Sequence, residues 1–236
     1  MLKPVLTIAT VLTIAAANTA QAQTWQPVKP FKADYKAYFK NAAIGHGSRA
    51  LEKQANGTYK ATSTAKVLGG AGMSYDDKSY FSYQNQRIVT EKFSRHKRVF
   101  LGSTDITGKA DGKGGLIVKS DDKTKHFPAG SWGNTLDATA FQIQFQDDVK
   151  SGQTNFHYHY VEGDKTKDYK FKIDGQETLK VPAGSFKTIR LKRIQHGDRQ
   201  TYMWLAPKLD YQLIKLQVLR KGKQWSAMEL TDFKFQ

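Results

Sequence analysis

The stretch FHYHY, Phe156 to Tyr160, sets His157 and His159 two residues apart, a spacing that in a strand presents two imidazoles on one side. Two neutral imidazoles take a metal ion when a third ligand joins them, and His46, His96, His126, His196 or a carboxylate would have to supply it. The competing reading puts Phe156, Tyr158 and Tyr160 in a core and both histidines in water. Carboxylate pairs stand at Asp76-Asp77, Asp121-Asp122 and Asp147-Asp148. Neighbours in a strand face opposite ways, and these pairs mostly sit beside lysines, so no acid–base chemistry is expected of them. GSWG, Gly130 to Gly133, has Ala129 where a nucleophile elbow needs its first glycine, and His-Glu-x-x-His is absent. A cysteine count of zero excludes disulfides, thiol catalysis, cysteine metal ligands and an acylated N-terminal cysteine. The expectation is a protein without enzymatic activity or cofactor.

Aromatic residues are the more promising resource. Eleven tyrosines, thirteen phenylalanines and four tryptophans exceed catalytic need, and most must be core. Trp132, Phe141, Phe156, Tyr158 and Trp204 are the candidates for lining a cavity that holds an acyl chain or glycan. The formal net charge of +16 favours anionic partners, although the lysines are spread along the chain as they would be on a solvated surface. Lys170, Lys172, Arg190 and Lys192 alternate with Phe171, Ile173, Ile189 and Leu191, which predicts a basic outer face.

The compartment decides which anion. MLKPVLTIATVLTIAAANTAQAQ joins Lys3, an apolar run from Val5 to Ala17 and an Ala20-Gln21-Ala22 cleavage site, the pattern of a secretory signal peptide over residues 1–22. The apolar run is short of the roughly 20 residues that span a bilayer. The mature protein is therefore expected to be soluble and exported, with no lipid anchor and no transmembrane segment. Lipid, lipopolysaccharide or a cell-wall component then suits the charge better than nucleic acid.

These side chains must be positioned by strands. Residues 23–30 carry two prolines and read as an extended lead-in to a single domain over 31–236. FKADYKAYF alternates strictly, with Phe31, Ala33, Tyr35, Ala37 and Phe39 on one face. Turn signals recur at Asn56-Gly57, Gln84-Asn85, Asp111-Gly112, Asp174-Gly175, Gly197-Asp198 and Lys221-Gly222. About ten to twelve antiparallel strands in a meander, curling into a barrel or sandwich, follow from that punctuation. Asn134 to Gly152 departs from it: Leu136, Ala140, Phe141, Phe145 and Val149 share a helical face, Asn134 can cap and Gly152 can terminate. Phe141, Ile143 and Phe145 also alternate, so a strand competes there.

Three segments carry a family likeness: FKADYKAYFKNAAIGHGSRALEKQANGTYKATSTA, VPAGSFKTIRLKR and TYMWLAPKLDYQLIKLQVLRKG. In that order they resemble the bacterial exported family called domain of unknown function 3108. The resemblance implies an exported all-β fold, mainly antiparallel, that curves around one short α-helix as an open or incompletely closed barrel. It is similar in architecture to the cups of periplasmic lipoprotein carriers, and it supplies no catalytic residues. Together these readings give a soluble periplasmic protein that binds an apolar or anionic envelope component in or along an open β-barrel. The alternatives are an envelope protein that contacts a protein partner through a sheet edge or basic face and, last, a hydrolase or metal enzyme.

Overall fold

The computed structural model describes residues 25–67, 72–130 and 134–236; the expected signal peptide, residues 1–22, and Trp132 lie outside the described residues. β1 (Phe31–Phe39) keeps its alternation through Tyr35, with Phe31, Ala33 and Tyr35 buried and Lys32, Asp34 and Lys36 exposed. Bulges then shift its register against both neighbours, and Phe39 ends exposed.

From β1 the chain proceeds by antiparallel neighbours through β2 (Ala42–Lys53), β3 (Tyr59–Val67), β4 (Met73–Gln84), β5 (Arg87–Val99), β6 (Gly102–Ala110), β7 (Leu116–Ser120) and β8 (Lys123–Phe127). A two-residue β9 (Leu136–Asp137) leads into helix α1 (Ala138–Lys150). The second half comprises β10 (Asn155–Glu162), β11 (Lys165–Val181), β12 (Gly184–Ile194), β13 (Arg199–Ala206), β14 (Gln212–Arg220) and β15 (Lys223–Phe235). β15 returns to pair with β1, from Phe31 opposite Phe235 to Phe39 opposite Ser226. Among the described residues one sheet of fifteen strands results, in the order β8 to β1, then β15 down to β9, all antiparallel except β9 with β10. The expected open, mainly antiparallel sheet with one short helix is what forms.

The strand number exceeds the expected ten to twelve because several turns carry no glycine pair. Lys40-Asn41 and Asp121 adopt left-handed φ without glycine, and so escape a composition search. Asn85-Gln86, one residue later than expected, makes the β4–β5 turn. Asp174-Gly175 is no turn: β11 runs through it, and Gly175, at φ 139°, forms a bulge against β12. Beyond that bulge the Pro182-Ala183 turn reaches β15, where Ala183 N–H donates to Leu230 O at 3.0 Å.

The sheet curls without closing by backbone pairing, and side chains bridge its two ends. Val161 of β10 packs with Phe93, Ile106, Leu116 and Val118 from β5 to β7. Lys125 of β8 donates to the Asp164 carboxylate at 2.9 Å. Helix α1 lies inside the curl, against β3, β4, β5 and β10. Its N-cap is Asp137 instead of the expected Asn134, because Leu136-Asp137 is held as a strand by β10 and the Asp137 carboxylate accepts from Thr139 and Ala140 N–H. Gly152 ends the helix at φ 82°, as expected, with its N–H on Val149 O. Leu136, Ala140, Phe141, Phe145 and Val149 are all buried, but so are Gln144, Gln146, Asp147 and Asp148 on the polar side.

Candidate functional site

Between α1 and the concave face of the sheet lies a cavity of about 330 Å³. Strand register builds its wall. Leu191, Met203, Leu216, Met228 and Ala37 form one cross-strand row from β12 to β1, because side chains at paired positions share a face. Met203, Leu216 and Met228 from this row face the cavity, joined by Leu205, Leu213 and Val218. Helix α1 contributes Phe141 and Phe145, and β11 contributes Tyr169 and Phe171. The rings brace one another: Phe141 stacks on Tyr160 at 4.3 Å, and Phe145 lies 4.8 Å from Phe171. The wall is therefore packed ring against ring and largely apolar in the surface it exposes.

Polar side chains join this wall from Ser48, Ser63, Thr64, Gln142, Gln146 and Thr201. Tyr35 donates to Leu213 O at 3.0 Å and accepts from Gln212 Nε2 at 2.7 Å. Burial holds that hydroxyl above its ordinary pKa, while the charge of Arg49 beside it pulls the other way. Arg49, from β2, is 6% exposed and also lines the cavity. Arg193 stacks over Tyr169 with 3.4 Å between guanidinium and ring centre, and Arg199 stands exposed at the same lining. Sequence reading missed all three arginines. The signal was present in Gly47-Ser48-Arg49-Ala50-Leu51, where alternation places an arginine on the same face as the fully buried Leu51.

The expected lining residues divide. Phe141 lines the cavity. Phe156 and Tyr158 face inward from β10 but pack on the other side of α1, around a pocket of about 60 Å³ shared with Arg87, Gln144 and Asp148. Trp204 pairs with Arg190 on β12, one position from Met203, and so lies on the sheet face away from the cavity. There it is 6% exposed and donates Nε1–H to Glu177 Oε1 at 2.9 Å.

The histidines of β10 stand on the outer face, paired across from Lys170 and Asp168. His157 Nε2 lies 2.9 Å from Asp168 Oδ1 and His159 Nδ1 lies 3.7 Å from Asp168 Oδ2, so both share one carboxylate. Among the described residues no group of three or more His, Cys, Asp and Glu side chains is placed to hold a metal ion. Lys170 and Lys172 are exposed, and Lys172 sits directly opposite Lys192. Arg190 has a different surrounding: it pairs with Asp174 at 2.9 Å and Glu177 at 3.0 Å.

The Asp147-Asp148 pair corrects the strand-based expectation, since it sits on α1 and both residues are buried. Each carboxylate is occupied within the protein. Asp147 accepts from Val28 N–H at 2.7 Å and Tyr83 O–H at 2.5 Å. Asp148 accepts from Arg87 at 3.0 Å, Tyr158 O–H at 2.5 Å, Gln144 and Gln153. Burial pushes the Asp147 pKa up to about 7, and burial likewise raises Asp137. This network binds lead-in, helix and strands to one another.

No curated protein matches the chain in sequence. Among solved structures, a β-barrel-like protein of domain of unknown function DUF1849 from Brucella abortus aligns over 89% of this chain and 99% of its own at a TM-score of 0.59 and 10% identity. At that identity the likeness concerns the fold alone. MucB aligns over 88% of this chain and 53% of its own with a TM-score of 0.34 and 10% identity. A protein of YmcC-like fold from Bacteroides fragilis aligns over 87% and 96% with a TM-score of 0.35 and 10% identity. The family described as proteins of unknown function, DUF3108, matches residues 34–222, and the chain belongs to that family.

Proposed function

We propose that the protein is an exported, non-enzymatic carrier or sensor that holds an amphipathic envelope molecule between α1 and the concave sheet face. The observation that carries this reading is the apolar cavity of about 330 Å³, which falls at the lower end of the roughly 300–1,000 Å³ of ligand pockets. That size fits a single acyl chain and not a many-chained lipid. The secretory pattern of residues 1–22 supplies the compartment, and no helix among the described residues is long and apolar enough to cross a membrane. Displacement of an environment-sensitive fluorescent fatty acid tests it. Saturable displacement by long-chain amphiphiles, abolished in Leu216→Trp where an indole fills the cavity, supports the reading; a probe that binds parent and variant alike rejects it.

One observation favours a second reading, contact with a protein partner. The β5–β6 turn presents Phe100 and Leu101 at 74% and 90% exposure. The free edge strand β8, by contrast, carries exposed Lys123 and Lys125, which discourage strand addition there. A partner captured by the parent but not by Phe100→Ser/Leu101→Ser would establish this role.

A further inference from the structure

We infer that the amphiphile is an acid, and that its carboxylate or phosphate head is bound by Arg49 inside the cavity. This rests on the cavity reading above and specifies its ligand. A guanidinium withdrawn from water requires a counter-charge, because an isolated buried ion is strongly disfavoured. The protein obeys that rule where its arginines are structural. Arg95, its side chain 16% exposed, meets Asp77 in a two-pronged pair at 2.7 Å, and even the half-exposed Arg87 and Arg190 are paired, with Asp148 and with Asp174 and Glu177.

Arg49 breaks the rule. It is 6% exposed, its charge lies beside the neutral Tyr35 hydroxyl and 5.8 Å from the Phe31 ring centre, and no carboxylate pairs with it among the described residues. It lines the cavity from a position opposite Ser63 on β3 and Ala33 on β1. An anion entering the cavity would meet a fixed guanidinium, with the Tyr35 hydroxyl beside it, while its chain lay along Met203, Leu216 and Met228. Arg193, whose Nε is buried without a hydrogen-bond partner, and the exposed Arg199 add positive potential along the same lining and draw the acid inward.

The test is calorimetric titration of delipidated mature protein with lauric acid, dodecyl phosphate and dodecanol. The parent should bind at least one of the two acids tenfold or more tightly than the alcohol, and the stronger acid identifies the head. Arg49→Met should reduce that acid to the level of dodecanol and leave dodecanol itself unchanged. Its ligand-free melting temperature should equal or exceed the parent's, since an unpaired buried charge has gone. If Arg49→Met does not fold, Arg49→Gln takes its place with the same expectation. Equal affinity for acid and alcohol in the parent overturns the acid assignment while the apolar cavity stands. A preference that survives in Arg49→Met, or that is lost in Arg199→Met instead, overturns the assignment to Arg49. Binding of none of the three overturns the cavity reading together with this inference.

Discussion

Val28 N–H donates to Asp147 Oδ1 at 2.7 Å, joining residues 119 apart in sequence and fastening the lead-in segment to the buried helix. Tyr83 reaches the other oxygen of the same carboxylate at 2.5 Å, and Lys150 of the same helix donates to Pro27 O at 3.1 Å. The lead-in is thus part of the folded body, although its two prolines read only as extended chain.

Burial of the same carboxylate, working against the pull of these hydrogen bonds, makes stability depend on pH in an unusual direction. The folded-state pKa of Asp147, about 7, lies above its ordinary 3.8, and Asp137 is raised as well. Between about pH 4 and pH 7 the native state therefore binds more protons than the unfolded chain, so stability falls as pH rises through that window. The unfolding free energy should be higher at pH 5 than at pH 8 by on the order of a few kcal/mol, read as a shift of the denaturant midpoint to higher concentration. Asp147→Asn, which keeps an acceptor and cannot ionise, should flatten the dependence. A parent more stable at pH 8 than at pH 5 would contradict the sign.

Trp204→Ala should destabilise the fold by about 3–5 kcal/mol, the usual cost of removing a large buried ring. The indole is 6% exposed and lies opposite Arg190, on the face away from the cavity. Affinity for the amphiphile should therefore persist wherever the variant remains folded. Chemical denaturation and ligand titration on one sample separate the two effects, and loss of binding by a folded variant would put Trp204 in the site.

The outer basic strip should prove unequal in its parts. Lys172 and Lys192 face each other directly, so Lys192→Glu should stabilise by about 0.2–1 kcal/mol through a new cross-strand pair. Reversing Lys170, Lys172 and Lys192 together should weaken salt-sensitive co-sedimentation with anionic vesicles. Arg190→Glu should cost stability instead, because Asp174 and Glu177 lose their partner. Equal sedimentation of parent and triple variant would leave the strip as a solubility feature.

Strand identity was legible wherever one face is apolar and the other wet. FKADYKAYF shows it in β1, and FHYHY shows it in β10, where Phe156, Tyr158 and Tyr160 are buried while His157 stands on the outer face. The same rule separates Tyr202 and Trp204 from Met203 and Leu205, yet it does not say which side holds the cavity, and Trp204 stands on the other side. The helix was harder. An element enclosed on all sides buries its polar residues too, and Gln144, Asp147 and Asp148 are held there by partners from β4, β5 and β10 that no local pattern announces. Arg49 was hidden for the opposite reason: a charged residue inside an alternating strand reads as exposed unless its apolar neighbours two positions away are weighed.

Native mass spectrometry of the protein released from the envelope without detergent tests the central claim most directly. The account predicts a fraction carrying one acidic amphiphile with a single acyl chain, absent from Leu216→Trp and depleted in Arg49→Met. A parent that carries no such adduct, and that gains none after incubation with lauric acid or dodecyl phosphate, would contradict it.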